Sequence, residues 1–348
     1  ITIRYPIHIP FDGEAVRLTF DNYCGTESVT LTRTTVLHNG KFYPVKFGSA
    51  RPVTIRAGGR AVSDPLKLKV KGGDVIQVSF YLGGFTLMRS VVYASGPLSQ
   101  GLYANGDETM NAEISRQTSR STHLFYFLSN VSVLAEKDKR AIVCYGDSIT
   151  AQDWPDDLAL RCRAEGYDKT AVIRRATSGS RILREYNCLT YESYGLCGAR
   201  RFSHEVPTDG ADAVIIQQGI NDIIHPVGEQ VNEFRPMSDL PTVEELINGL
   251  KTYIAQARSW GYKVYVGTLL PMGGWRTDAP FRQDMRHAYN EFIRNTGLID
   301  GCIDFDRALR DPENPDFFAK EYDSGDHLHP SAAGYRRMAE EIPAELLK

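Results

Sequence analysis

The spacing of apolar residues changes once along this chain, near residue 140, and the change strongly limits what the chain can fold into. Before it, short runs of strand-forming residues alternate with turn pairs such as Asn39-Gly40 and Gly72-Gly73. After it, apolar strands recur about thirty to fifty residues apart, with helical stretches between them. Short, evenly spaced strands predict an all-β sandwich, whereas strands that alternate with helices predict a parallel α/β sheet. We therefore expect two domains of different fold class.

The predicted domain boundary lies in the charged segment Glu136-Lys137-Asp138-Lys139. We expect residues 1–136 to form a β-sandwich or jelly roll, and residues 137–348 to form the α/β domain. In the first domain, strands are predicted at residues 15–20, 28–37, 52–55, 66–70 and 75–82. In the second domain, strands are predicted at residues 141–145, 171–175, 213–217, 263–269 and 301–305, and helices at residues 155–165, 242–260, 281–295 and 331–347.

The charge balance and the hydropathy argue against several classes of partner. The 348 residues include 40 Lys and Arg and 43 Asp and Glu, which gives a net charge of -3. This composition supplies no basic field for nucleic acid or for an anionic membrane. No apolar run in the sequence is long enough to span a bilayer. We therefore expect a small neutral or weakly charged substrate, and the oligomeric state stays open.

The cysteines do not indicate a disulfide scaffold or a structural zinc site. They are widely spaced and form no Cys-x-x-Cys pair. Cys188 and Cys197 lie in one loop rich in Gly and Tyr, and they are able to pair if the protein is exported. The chain begins at Ile1 without a leader-like segment, and we leave secreted and cytoplasmic locations both open. The six cysteines are Cys24, Cys144, Cys162, Cys188, Cys197 and Cys302.

Polar residues follow the predicted strands of the second domain, at the points where the strands end. In open α/β sheets, ligands bind just outside the carboxyl ends of the strands. The residues at these positions include a hydroxyl nucleophile, hydrogen-bond donors for an oxyanion, a base and a carboxylate that can orient the base. They fall in four blocks: Gly146-Asp147-Ser148, Thr177-Ser178-Gly179, Gly219-Ile220-Asn221-Asp222 and Asp326-His327-Leu328-His329.

Taken in this order, the four blocks resemble the SGNH (GDSL-type) hydrolase superfamily, and the resemblance covers roughly residues 141–345. It implies a flavodoxin-like, three-layer α/β/α fold for the second domain and a reaction that needs no metal or organic cofactor. The β-rich first domain and residues 198–202 resemble a bacterial branch of esterases that carries an N-terminal β-sandwich. The resemblance also implies site residues: a nucleophile at Ser148, a base at His329 oriented by Asp326, and an oxyanion hole formed by Ser148, Gly179 and Asn221.

The chemistry of these residue types agrees with the resemblance. A serine hydroxyl is a poor nucleophile near neutral pH, so it needs a base within hydrogen-bond distance to take its proton. His329 suits this role, and Asp326 is able to accept a hydrogen bond from the other ring nitrogen. Negative charge then develops on the carbonyl oxygen of an ester, where backbone N–H groups and the amide of Asn221 are suitable donors. The sequence therefore predicts an acyl-enzyme on Ser148, which water hydrolyses.

The predicted substrate is an ester of a carbohydrate with a short acyl group, acetyl above all. Trp154 and Trp275 are candidates for contact with a sugar ring, although Trp275 is equally suited to cover the core. Ala151-Gln152 and Ser180 depart from the residues that are common in the superfamily, which leaves the shape of the pocket open. The segments expected around Ser148 are polar and aromatic, as suits a sugar: residues 152–154, 178–181, 191–194 and 273–276.

Two other functions stay open. One is a lipid-directed acylhydrolase such as a lysophospholipase or a thioesterase, and the other is a non-catalytic glycan-binding protein on a hydrolase scaffold. A burst of acyl-enzyme separates an enzyme from a binding protein, and acyl chain-length preference separates the two enzymes. The glycan, the acylated hydroxyl and the role of the first domain stay open, because pockets are built from loops.

Several charged residues also have competing interpretations. Asp326, His327 and His329 are residue types that bind metals, although a third well-spaced group of ligands is missing from the sequence. The other histidines of the second domain that we considered are expected to be structural or at the surface: His204, His225 and His287. Six arginines are expected to form ion pairs rather than to bind an anionic substrate: Arg174, Arg175, Arg181, Arg184, Arg200 and Arg201.

Overall fold

The computed structural model describes residues 1–186 and 196–348. The chain divides into two compact units, Ile1–Lys139 and Arg140–Lys348. This division lies at the end of the charged segment that the sequence indicates as the boundary. Each unit has its own cluster of buried apolar residues.

The first unit is an all-β structure. Its strands are β1 Thr2–His8, β2 Ala15–Asp21, β3 Val29–Leu31, β4 Arg33–His38, β5 Lys41–Pro44, β6 Val53–Ile55, β7 Arg60–Val62, β8 Val75–Tyr81, β9 Val91–Tyr93, β10 Gly101–Ala104, β11 Ser119–Thr122, β12 Leu124–Tyr126 and β13 Leu128–Leu134. The largest sheet has the order β11-β10-β1-β8-β4-β5, and a second has the order β13-β2-β7. All recorded pairings in this unit are antiparallel, and alternate residues such as Val16, Leu18 and Phe20 are buried in its core. The predicted all-β first domain is confirmed.

Some details of the first unit differ from the sequence prediction. Residues 66–70 do not form a strand, and they contribute the isolated bridges Gly13↔Val70 and Val16↔Leu66. The predicted run at residues 28–37 is divided into two strands, which belong to different sheets. Short polar strands such as β11 escape the prediction because they lack the apolar alternation that marks a half-buried strand.

The second unit is built around a parallel sheet. Its strands are β14 Arg140–Gly146, β15 Thr170–Ala176, β16 Ala211–Gln217, β17 Lys263–Gly267 and β18 Gly301–Ile303. Among the described residues they form one five-stranded sheet in the order β15-β14-β16-β17-β18, and every recorded pair is parallel. The strands β14 and β16 are apolar runs that are buried along most of their length, as expected where helices cover both faces of a sheet. The predicted parallel α/β domain is confirmed.

Helices connect these strands. They are α1 Ser148–Ala151, α2 Trp154–Ala164, α3 Gly198–Glu205, α4 Ile220–Ile224, α5 Val243–Ser259, α6 Pro280–Asn295, α7 Phe305–Leu309, α8 Ala332–Glu340 and α9 Ala344–Leu347. Helix α5 begins with a capping box between Thr242 and Glu245. The helix predicted at residues 331–347 is two helices, because Pro343 lacks the backbone N–H that a continuous helix requires. Within the described residues, no helix has both the length and the apolar character needed to cross a membrane.

The strand order creates a topological switch point at the carboxyl ends of the parallel strands. The chain runs from β14 to β15 in one direction and then adds β16, β17 and β18 in the other. Because parallel crossovers are right-handed, this reversal puts α2 on one face and α3, α5 and α6 on the opposite face. The packing agrees, since α2 contacts α8 whereas α5 contacts α3 and α6. This flavodoxin-like order creates a switch point between β14 and β16, where α/β proteins bind their ligands.

Candidate active site

Three of the four sequence blocks lie at the carboxyl ends of adjacent strands, and these strand ends are level with one another. Gly146, the last residue of β14, pairs with Ala176 of β15 and with Gln217 of β16. The loops that carry Ser148, Gly179 and Asn221 therefore leave neighbouring strands side by side. The parallel register thus brings together residues that lie between 31 and 73 positions apart in the sequence, and it places them at the switch point.

Ser148 stands at the first position of the short helix α1. Asp147 precedes it as the N-cap, and its carboxylate accepts a hydrogen bond from the backbone N–H of Ile149 at 3.1 Å. Ser148 is partly exposed, whereas Asp147 and the rest of α1 are buried. The fold thus holds the backbone of this turn in the core and leaves the hydroxyl accessible.

A chain of hydrogen bonds connects Ser148 to His329 and Asp326. Ser148 Oγ lies 2.9 Å from His329 Nε2, and His329 Nδ1 lies 2.6 Å from Asp326 Oδ2. This geometry suits the tautomer in which Nδ1–H donates to the carboxylate and Nε2 accepts from the hydroxyl. The structure therefore brings together the predicted nucleophile, base and orienting carboxylate.

Asp326 is held as a carboxylate by its surroundings. Partial burial raises the pKa of this group, but hydrogen bonds from the His329 ring and from the backbone N–H groups of His329 and Leu328 lower it to about 2. These backbone groups donate to Oδ1 at 2.8 and 2.9 Å, and the Ser324 hydroxyl donates to the same oxygen at 3.0 Å. Asp326 is consequently charged and fixed in position near neutral pH, as an orienting group must be.

The two other candidate oxyanion residues lie on loops that are bonded to each other. Gly179 has φ +77°, a left-handed conformation that favours glycine, which explains the residue type at this position. The side-chain amide of Asn221 donates to the carbonyl of Ser180 at 3.1 Å. An amide nitrogen carries two N–H groups, so one remains for a bound oxyanion. The contact fixes α4 against the Gly179 loop.

Polar residues to which the sequence assigned no role in the reaction support this arrangement. The carboxylate of Asp222 accepts from the backbone N–H groups of Ile182 and Leu183 at 2.8 and 3.0 Å. The amide of Gln218 donates to Ser180 Oγ at 2.9 Å, and Tyr253 O–H donates to Gln218 Oε1 at 3.0 Å. The signal for these residues in the sequence is the run of polar residues directly after an apolar strand. Their contacts become evident when the loops are folded.

The buried carboxyl of Asp147 makes stability depend on pH. Desolvation raises its pKa from 3.8 to about 7, an effect that the Ile149 N–H opposes and the charge of Asp222 reinforces. Because the folded-state pKa lies above the unfolded value, the folded protein binds the proton more tightly than the unfolded chain. The free energy of unfolding should therefore fall as pH rises from about 4 to about 7, with a slope of at most about 1.4 kcal/mol per pH unit from this group.

We expect Asp147→Asn to flatten this decline, since Asn keeps the capping oxygen but carries no charge. Urea unfolding of both proteins at several pH values in this range measures the slope directly. Asp168→Asn, at an exposed position, is the matched control and should leave the slope unchanged. Equal slopes for the wild type and Asp147→Asn would show that Asp147 does not titrate in this range.

The structure separates the two predicted tryptophans. Trp154 is fully buried, with 0% of its surface exposed, and it packs against Phe305 at 5.8 Å between ring centroids. A sugar ring has no access to it, so the prediction that Trp154 contacts substrate is wrong. Trp275 is partly buried against the core, and the guanidinium of Arg276 covers one face of its ring at 4.5 Å. Trp275 thus contributes to covering the core.

Most arginines of the predicted cluster form ion pairs with acidic residues of the same chain. This favours the structural interpretation over binding of an anionic substrate. Arg175 donates to the backbone carbonyl of Glu205 at 2.9 Å. The recorded ion pairs are Arg174 with Asp156, Arg181 with Asp239, Arg184 with Glu245, Arg200 with Glu185 and Arg201 with Glu205.

Each histidine of the fourth block has its own carboxylate partner. His327 Nδ1 lies 2.6 Å from Asp323 Oδ2, in the same geometry as His329 with Asp326. Over residues 1–186 and 196–348, no group of three or more His, Cys, Asp or Glu side chains is arranged to hold a metal ion. His287 pairs with Asp316 at 2.6 Å, and the buried His225 bonds to the Tyr186 hydroxyl.

Two predictions concern residues that the structure does not describe. The possible pairing of Cys188 with Cys197 involves one cysteine outside the described residues. The segment 191–194, expected near Ser148, also lies outside them.

The sequence and the fold both resemble known proteins. Residues 144–337 match the model of the GDSL-like lipase/acylhydrolase family, and no curated relative matches the chain. A GDSL-like lipase from Bacteroides thetaiotaomicron is 18% identical, with a TM-score of 0.43 over 61% of this chain and 90% of that one. A catalytic mutant of Axe2, an acetylxylan esterase from Geobacillus stearothermophilus, is 16% identical, with a TM-score of 0.42 over 60% of this chain and 94% of that one.

Proposed function

The chain belongs to the GDSL-like lipase/acylhydrolase family, and we propose that within it this protein is a serine esterase that removes short acyl groups, acetyl above all, from carbohydrate. The observation that carries the proposal is the chain of hydrogen bonds from Ser148 through His329 to Asp326. It lies at the switch point of the parallel sheet, and both Ser148 and His329 are partly exposed. The same three residue types at these distances form the machinery of acyl transfer.

The reaction proceeds in two halves. His329 takes the proton of Ser148 as Oγ attacks the ester carbonyl, and Asp326 stabilises the resulting imidazolium. The tetrahedral intermediate collapses to an acyl-enzyme, and His329 gives the proton to the departing alcohol. Water then attacks the acyl group with His329 again as the base, which releases the acid and restores Ser148. Each proton therefore moves through one histidine nitrogen, Nε2.

The oxyanion of each intermediate needs donors that are already in place. The candidates are the backbone N–H groups of Ser148 and Gly179 and the side-chain amide of Asn221. They lie on the loops that follow three neighbouring strands, β14, β15 and β16. The contacts of Asn221 and Asp222 with the Gly179 loop support this assignment, because they hold the loop and α4 together before substrate arrives. Such preorganisation is the main source of electrostatic stabilisation in acyl transfer.

We expect Asn221→Ala to lower kcat by about a hundredfold with little change in KM, because the hydrogen bond strengthens as charge develops on the oxygen. Steady-state kinetics with p-nitrophenyl acetate measure both constants. Asn248→Ala, at an exposed position on α5, is the control and should leave both unchanged. A change in KM alone would recast Asn221 as a ground-state binding residue.

The acyl specificity follows from the polar character of the segments near Ser148. A lipid-directed enzyme needs an apolar surface for a long chain, whereas residues 178–181 and 273–276 are mostly polar or glycine. We expect kcat/KM to fall steeply from acetyl to butyryl to octanoyl p-nitrophenyl esters, and we expect acetate release from acetylated xylan or a related glycan. A preference for octanoyl esters without acetate release from any sugar would favour the lipid-directed alternative.

A further inference from the structure

We propose that Arg276 binds a carboxylate of the substrate, so that the acylated carbohydrate is an acidic one, such as a glycan that contains a uronic acid. The inference rests on the proposed esterase function and adds the charge of its substrate. Arg276 follows β17 by nine residues, at the same sheet edge as Ser148. The sequence places it in a segment expected near Ser148 but assigns it no role.

The guanidinium of Arg276 is already arranged for such a contact. It lies over the indole of Trp275, with its central carbon 4.5 Å from the ring centroid, and the residue is exposed. Stacking on an aromatic ring limits the rotation of the side chain and leaves the in-plane N–H groups free to donate. A carboxylate accepts two parallel hydrogen bonds from this fork. The residue thus offers a rigid donor pair that faces solvent.

Arg276 also lacks an internal acidic partner within the described part of the chain. The closest carboxylate in sequence belongs to Asp278, whose oxygens accept from the Gly274 N–H at 3.0 Å and from the Gln283 amide at 2.8 Å. Most other arginines around the sheet edge carry recorded ion pairs, as Arg174, Arg181 and Arg201 do. Arg276 is thus available to an external anion.

The loop that carries Arg276 lies against the loop of the candidate base. A Cβ built on Gly274 would lie 3.3 Å from ring atoms of His327, so the two loops are in contact. His327 precedes His329 by two residues, which limits their Cα separation to about 7 Å. The backbone N–H of Trp275 donates to the carbonyl of Met272 at 3.0 Å, which helps to fix the loop. The loop that carries Arg276 is therefore held beside the loop that carries His329.

The positive charge of Arg276 also acts on His225, the residue that follows the helix of Asn221. The backbone N–H of His225 donates to the carbonyl of Asn221 at 3.1 Å. Burial lowers the pKa of His225 well below its usual value, and the positive charges of Arg235, Arg181 and Arg276 lower it further. The ring is consequently neutral, and the charge of Arg276 acts within range of the residue that follows α4, the helix that carries Asn221.

The test compares two substrates that differ in one group: a monoacetylated methyl glucuronoside and the matching acetylated methyl glucoside. We expect the wild type to have the higher kcat/KM on the acidic sugar. Arg276→Gln should lower the ratio of acidic to neutral kcat/KM by about 10- to 100-fold, as expected for loss of charged hydrogen bonds. Arg163→Gln, an exposed arginine on α2, is the matched control and should preserve the wild-type ratio.

The outcomes separate this inference from the esterase proposal. If the wild type hydrolyses p-nitrophenyl acetate but Arg276→Gln keeps the wild-type ratio, the inference is overturned and the esterase proposal stands. A loss confined to p-nitrophenyl hemisuccinate would overturn it as well, since the carboxylate would then belong to the acyl group. If no ester is hydrolysed, the esterase proposal itself fails. A ratio that falls with added salt in the wild type, but not in Arg276→Gln, supports the inference.

Discussion

Ser148→Ala is expected to lose nearly all ester hydrolysis, by at least about 10⁴-fold in kcat, while the protein still folds. The hydroxyl carries the covalent step, and no other group in the site can replace it. It contributes little to packing, because the side chain is partly exposed and its recorded hydrogen bond goes to His329. Steady-state rates with p-nitrophenyl acetate and thermal unfolding, measured on the same preparation, check both halves of this expectation.

Ser259→Ala is the matched control for this experiment. It removes an exposed serine hydroxyl from the end of α5, where the side chain donates to the carbonyl of Gln256. Activity and melting temperature should both stay close to the wild type. The assignment of Ser148 is defeated if the Ser148→Ala protein keeps a tenth of the wild-type activity.

His329→Ala should damage catalysis as severely as Ser148→Ala, because the serine then has no base and the leaving alcohol has no acid. Asp326→Asn should be milder than His329→Ala. Asn keeps an oxygen that can accept from the backbone N–H groups, so the loop keeps its shape, but the negative charge that stabilises the imidazolium is lost. Single-turnover rates on an activated ester separate the acylation step from deacylation in both variants.

The pair His287 and Asp316 provides an internal control, because its ring nitrogen and carboxylate are also 2.6 Å apart. His287→Ala removes a partnered histidine of the same kind from α6, and it should leave the rates unchanged. If His329→Ala and Asp326→Asn both had wild-type rates, the base would have to lie elsewhere in the molecule.

The parts of the site that the sequence predicts are those fixed by strand order. Ser148 and Asn221 each follow an apolar strand, and parallel strands necessarily end at one edge of a sheet. His329 can also be predicted from the sequence, because its block directly precedes α8 and contains the carboxylate of Asp326. These residues need no knowledge of side-chain packing.

The remaining features depend on tertiary contacts that no local pattern reports. Trp154 stands beside polar residues in the sequence, yet α2 packs it into the core against Phe305. Asp222 resembles a surface residue until the loop that contains Ile182 folds onto it and satisfies its carboxylate. Arg276 is an ordinary charged residue in the sequence. Its proposed role depends on its stacking on the Trp275 ring and on the hydrogen bonds that Asp278 already accepts from other groups. Burial and partner choice are decided by the assembled fold.

The most direct test of the account is to look for the acyl group on Ser148. The protein is mixed with excess p-nitrophenyl acetate, quenched in acid within the first turnovers, digested and examined by mass spectrometry. We expect the peptide that contains Ser148 to gain the mass of one acetyl group, with fragment ions that assign it to this serine, and we expect the Ser148→Ala protein to gain none. Turnover without any acetylated intermediate, or acetyl found on another residue, would contradict the central claim.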